Sequence, residues 1–204
     1  MGDIENSAAT HLQQFEEQNS PAGLLRRYAQ GRVRNFKQRQ VLTVLGSAFL
    51  GAFLGPYIGI ATLMLAITGE AIDCLYLAWV LRRADFKKNT NAFATGALFA
   101  GIFQAFTISA CVILTWFAGQ SEARFFAMVF LSGAMLNAGL VLFFYKKAAL
   151  ARLIVYGVCA GFVLTWDIYN GQWDSREFWF DVFSTGMLLY LIILFVIFTN
   201  AYQK

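Results

Sequence analysis

The stretch from Val41 to Leu81, VLTVLGSAFLGAFLGPYIGIATLMLAITGEAIDCLYLAWVL, decides the fold. Its only charged residues are Glu70 and Asp73. A helix of about 20 apolar residues crosses the hydrocarbon core of a bilayer, so this run is too long for one crossing. Gly55-Pro56 falls about a third of the way along, where a proline kinks a helix or marks a turn. The pattern therefore predicts a hairpin, with one helix from about Lys37 to Leu54 and a second from about Tyr57 to Leu81. Strict alternation suited to a barrel is absent, and helices satisfy their own backbone hydrogen bonds in lipid.

Working outward, further spans are expected over about Phe93–Ala118, Arg124–Tyr145, Arg152–Trp166 and Phe178–Tyr202. Charge decides how they are threaded. With the hairpin, 14 of the 16 Lys and Arg residues fall on one side and only Arg124 and Arg176 on the other. Replacing the hairpin with a single kinked span inverts everything downstream and splits the same 16 residues evenly. The excess of Lys and Arg on the cytoplasmic side predicts an all-α integral membrane protein: a six-helix transmembrane bundle over residues 37–204, with both termini cytoplasmic. Residues 1–36 form a polar tail ending in a basic segment, with a short helix expected around Thr10–Gln18, and no cleavable signal peptide is expected there. The expected location is a bacterial inner membrane.

Composition agrees. Hydrophobic residues make up 58% of the 204 and charged residues 14%, where a soluble domain carries about 25% charged. The net charge of +4 comes from basic residues flanking apolar runs, where they act as orientation signals; no nucleic-acid partner is expected. Cys74, Cys111 and Cys159 each fall inside a predicted span and have no metal-ligand spacing. The single histidine, His11, lies in the tail, so no imbedded imidazole is available for haem or zinc. Phosphate-binding, zinc-protease and serine-hydrolase motifs are missing as well. No cofactor, no metal and no enzymatic activity are expected.

Four features could carry function. Arg26, Arg27, Arg32, Arg34, Lys37 and Arg39, interleaved with apolar residues, fit a helix lying on anionic lipid headgroups, or equally a topogenic flank. Glu70 and Asp73, spaced i, i+3, share one helix face. At 1.5 Å per residue, Asp73 lies about 12 Å and Glu70 about 16 Å from Leu81. The same rise places Gln104 about 16 Å from Phe93 and Asn137 about 12 Å from Tyr145. Two acids and two amides thus share a slab, as a proton-sensing or small-ligand layer, or as packing hydrogen bonds of about 0.6–2 kcal/mol each. Ser47, Gly51, Gly55 and Gly59 form a small-xxx-small register for close packing within the hairpin or for self-association. Lastly, Trp166, Asp167, Tyr169, Trp173, Asp174, Glu177 and Trp179 are expected around an outer loop, as an interfacial belt or a ligand or partner site.

The basic arm, the Gly-rich hairpin, Gly69-Glu70-Ala71-Ile72-Asp73 inside the second span, Arg82-Arg83 closing it and an apolar final helix together resemble the N-terminal membrane region of bacterial hybrid sensor histidine kinases, especially alphaproteobacterial ones. The resemblance implies a sensory domain whose last helix feeds cytoplasmic signalling modules. The sequence holds no phosphoacceptor-histidine segment and no ATP-binding domain, so a detached sensor region or a stand-alone relative is expected. Competing readings are an accessory or assembly subunit of a larger membrane complex and a small proton-coupled transporter. Expected partners are anionic lipid headgroups and either a second copy or a larger membrane complex.

Overall fold

The computed structural model describes residues 15–83, 88–118, 121–170 and 176–202, and among these it is all-helical. After a helical turn at 15–19, the elements are α1 (Pro21–Arg34), α2 (Phe36–Leu54), α3 (Pro56–Leu81), α4 (Thr90–Trp116), α5 (Ser121–Val141), α6 (Lys146–Asn170) and α7 (Arg176–Tyr202). The short helix expected around Thr10–Gln18 lies mostly outside the described residues.

Four of these helices, α3 to α6, are long and apolar enough to cross a membrane. On α3, Tyr57 and Trp79 stand at the two ends of the apolar face, about 33 Å apart at the helical rise, close to a hydrocarbon thickness of about 30 Å. Helix α2 is shorter in apolar terms. Its uncharged part, Val41 to Leu54, follows a basic first turn with Lys37 and Arg39.

The turn between α2 and α3 is a single residue. Gly55 adopts φ +104°, a left-handed region that a side chain disfavours, and Pro56 then opens α3 at a position where its missing N–H is not needed. The hairpin closes tightly. A Cβ on Gly59 would stand 2.6 Å from the Gly51 Cα and 2.7 Å from the Ser47 carbonyl oxygen. Ser47, Gly51 and Gly59 are therefore spent on packing α2 against α3, and Gly55 on the turn.

Helix α4 is the hub, packing on α3, α5 and α6, while α7 lies on α5 and α6. Helix α2 rests almost wholly on α3. Several expected boundaries shift, and α5 runs over Ser121–Val141 where Arg124–Tyr145 was expected. Helix α4 begins at Thr90, α6 already at Lys146, and α6 runs on to Asn170, so Arg152 and Asp167 are helix-interior residues, not ends or loop.

Helix α1 is the element that the sequence placed wrongly. Ser20 caps it, its hydroxyl accepting from the Gly23 N–H at 3.1 Å, with Pro21 at the first helical position. Leu25, Tyr28, Ala29 and Arg32 recur at i, i+3, i+4, i+7 and are all buried against the bundle, mainly on α3 and α4. Of the apolar residues interleaved with the basic ones, Leu25 and Tyr28 are thus covered by protein and not by lipid. Asn35 alone separates α1 from α2.

Candidate functional site: a buried arginine–carboxylate cluster

The i, i+3 spacing of Glu70 and Asp73 does put both on one face of α3, and that face is turned inward: Asp73 is 0% exposed and Glu70 5%. Buried carboxylates need partners. These two are met by three guanidinium groups from three different helices.

Arg32 of α1 donates through Nε (3.0 Å) and Nη2 (2.6 Å) to Asp73 Oδ2, and its Nη2 lies 3.4 Å from Glu70 Oε1. Arg39 of α2 donates from Nε to Glu70 Oε2 at 3.0 Å, with its Nη2 2.9 Å from the same oxygen. Arg152 of α6 donates from Nη2 to Asp73 Oδ2 at 3.0 Å. Helix α4 contributes without charge: Gln104 Nε2 donates to Glu70 Oε1 at 3.0 Å, and the Gly101 carbonyl accepts from Arg152 Nε at 3.3 Å. Gly101 is required here by space, since a Cβ would stand 2.9 Å from that Nε. The cluster therefore ties α1, α2, α3, α4 and α6 together.

Its charges do not cancel. Three guanidiniums face two carboxylates, which leaves +1. The C-terminus of α1 offsets part of this excess: Arg39 Nη2 donates to the Arg32 carbonyl at 3.0 Å, and the end of a helix carries about half a negative charge. Cys74 lies beside the same carbonyl, and its Sγ is 3.3 Å from Arg39 Nη2. Tyr28 closes the cluster on the α1 side, its hydroxyl accepting from Arg152 Nη2 at 2.9 Å. Burial raises the Tyr28 pKa above its ordinary value despite the opposing pull of Arg152, so the phenol stays protonated. Burial alone would lower the Arg32 pKa, but Asp73 and Glu70 outweigh it and raise it. Within the cluster, three buried polar atoms have no hydrogen-bond partner among the described residues: Arg32 Nη1, Asp73 Oδ1 and Gln104 Oε1.

Of the four residues assigned to one polar slab, three meet: Glu70, Asp73 and Gln104. Asn137 is half-buried on α5 and makes no hydrogen bond to either acid. Its depth matches but its direction does not, because α5 packs mainly on α4, α6 and α7.

Two members of the headgroup-contact set are corrected. Arg32 is 3% exposed and bound to the acids, and Arg39 is half-buried against Glu70. Two carboxylates buried in the bundle need charged partners, and these guanidiniums supply them instead of facing headgroups. Arg26, Arg27, Arg34 and Lys37 do remain exposed on the outward side of α1 and the start of α2. Arg152 was missed. A basic residue near a span boundary reads as a topogenic flank, and its acid partner is 79 residues away in sequence.

The other end of the bundle holds a lesser polar contact. Trp116 Nε1 donates to Asp167 Oδ1 at 3.2 Å, joining α4 to α6, and Arg124 stands over the Trp116 ring at 5.5 Å. Of the acidic and aromatic residues expected around the outer loop, Asp167 is thus buried in the bundle, whereas residues 171–175, with Trp173 and Asp174, lie outside the described residues. Among the described residues, no three His, Cys, Asp or Glu side chains group closely enough to hold a metal ion. No protein-family model matches the chain, and comparison with curated proteins and with solved structures finds no similar protein.

Proposed function

We propose that this chain is a non-enzymatic, sensory or regulatory domain of a bacterial inner membrane, comparable in role to the membrane region of a sensor histidine kinase. One observation carries the reading: an N-terminal helix, α1, is joined to three spans through a single shared pair of carboxylates. A shift of α2, α3 or α6 changes the cluster and with it the seat of α1. That is how a bundle couples a change within the membrane to an element outside it. Proton-coupled transport fits less well, since each carboxylate is engaged by at least two guanidinium groups and neither is available as a carrier. Self-association through the small-residue register is disfavoured because Gly51 and Gly59 already touch each other.

On this reading α2 and α7 also cross the membrane, giving six spans with both ends cytoplasmic. Discounting the three arginines in the cluster, the Lys and Arg asymmetry is still 11 to 2 (14 − 3 against 2). Arg26, Arg27, Arg34 and Lys37 then face anionic headgroups at the cytoplasmic surface. The topology is checked by labelling intact cells with a membrane-impermeant thiol reagent: Asn89→Cys stays unlabelled until the cells are permeabilised, and labelling from outside removes the six-span arrangement.

On this reading a change at the cluster also leaves the bundle through α7, which packs on α6, the helix of Arg152, and continues without a break to Tyr202. In a fusion of the chain to a cytoplasmic kinase module, inserting one to four residues after Thr199 is expected to modulate kinase output with the helical period of about 3.6 residues. Output indifferent to the phase of the insertion makes α7 a mere anchor and ends the sensory reading. A stoichiometric large partner after gentle detergent extraction would instead select an accessory subunit.

A further inference from the structure

We infer that α1 is a reversible strap, clasped to the bundle by Arg32 and able to leave it without unpairing a single buried charge. This rests on the regulatory reading above and names the element that moves.

With α1 docked, three guanidiniums share two carboxylates. Take Arg32 away, and what remains is two one-to-one pairs: Arg39 with Glu70 and Arg152 with Asp73. Glu70 keeps Gln104, Arg152 keeps the Gly101 carbonyl while giving up the Tyr28 hydroxyl, and Arg39 keeps the Cys74 sulfur while giving up the Arg32 carbonyl. The cluster behind the strap is therefore neutral, with each of its four charges still paired. Removing either acid has the opposite effect and raises the buried excess to +2.

The docked strap, for its part, is held without being saturated. Leu25, Tyr28 and Ala29 bury their side chains, and Arg32 makes its two short bonds to Asp73. Against this, Arg32 Nη1 is buried with no partner, a loss that water or a lipid phosphate makes good once the helix leaves. The unmet N–H offsets part of what the burial and the bonds contribute, so a bias toward the undocked position acts against less than the full set of contacts. The joint is supplied by Asn35, exposed and alone between α1 and α2.

The test uses the full chain in lipid nanodiscs and N-ethylmaleimide, with the modified residues located by peptide mass spectrometry. Ala29→Cys, at a position 0% exposed under the docked strap, reports on α1, while the native buried Cys111 and Cys159 report on the bundle. In the otherwise unchanged chain, Cys introduced at position 29 is expected to react slowly yet measurably while Cys111 and Cys159 stay protected. Adding Arg32→Ala is expected to accelerate labelling at position 29 at least tenfold and to leave both bundle cysteines protected, with Arg32→Lys intermediate. Unchanged labelling at position 29 shows that Arg32 is not the clasp. Equal acceleration at all three sites, or failure of the Arg32→Ala chain to fold, shows that strap and bundle are one unit; either result overturns the proposal. Neither bears on the insertion experiment with α7, which can succeed with an immobile α1.

Discussion

The two ends of this bundle bury a carboxylate in different ways. At the α1 end, Asp73 accepts from Arg32 and Arg152, and Glu70 from Arg32, Arg39 and Gln104, so that two acids hold five helices. At the far end, Asp167 takes the Trp116 indole N–H, a contact that joins two helices. The first arrangement concentrates charge and makes the seat of α1 depend on the helices that carry the two acids and their other arginines. The second joins α4 to α6 through a neutral donor.

Two substitutions sharpen the contrast. Asp73→Asn leaves three guanidiniums facing one carboxylate and is expected to cost about 3–5 kcal/mol, the range for breaking a buried ion pair from one side. Thermal unfolding in a fixed detergent should show a large drop in Tm together with a lower folded yield; a Tm within experimental error of the parent would mean that the cluster is not a structural junction. The smaller effect is at the other end. Trp116→Phe keeps an aromatic ring and removes the Nε1 donor to Asp167, with an expected cost of about 1.5–3 kcal/mol, the range for one hydrogen bond to a charged group. A loss as large as that of Asp73→Asn would show that the far end is also a junction.

Much of the fold was legible in the sequence because hydropathy and turn chemistry are local. The Gly55-Pro56 turn and the helices on either side of it follow from residues adjacent in the chain. The inward face of Glu70 and Asp73 was legible too, since i, i+3 spacing fixes a shared face and acids avoid lipid. What answers those acids was not. Arg32, Arg39 and Arg152 all stand near the ends of apolar runs, where a basic residue has a sufficient explanation as an orientation signal. Helical rise gives depth alone, which is why Asn137 was grouped with Gln104 although only Gln104 faces Glu70. The direction of a side chain around its helix depends on which helices become neighbours, and hydropathy is silent about that. For α1, the stripe Leu25, Tyr28, Ala29, Arg32 was readable as amphipathic, but a stripe suits a lipid surface and a protein surface equally. The arginine within the stripe was the clue, because it matches an acidic pair better than it matches hydrocarbon.

The single-residue elbow at Asn35 gives α1 the mechanics of a lever. Arg32 lies three residues from that fulcrum, about 4.5 Å along the helix, whereas Pro21 at the far tip lies fourteen residues away, about 21 Å. A rigid rod with those arm lengths multiplies displacement by roughly four to five. If the guanidinium slides by about 1 Å between its two carboxylates, the tip sweeps about 4–5 Å, close to one turn of helix. On the proposed reading the cluster then works as a gearbox: a small, stiff input at Arg32 becomes a large, soft output at the tip of α1.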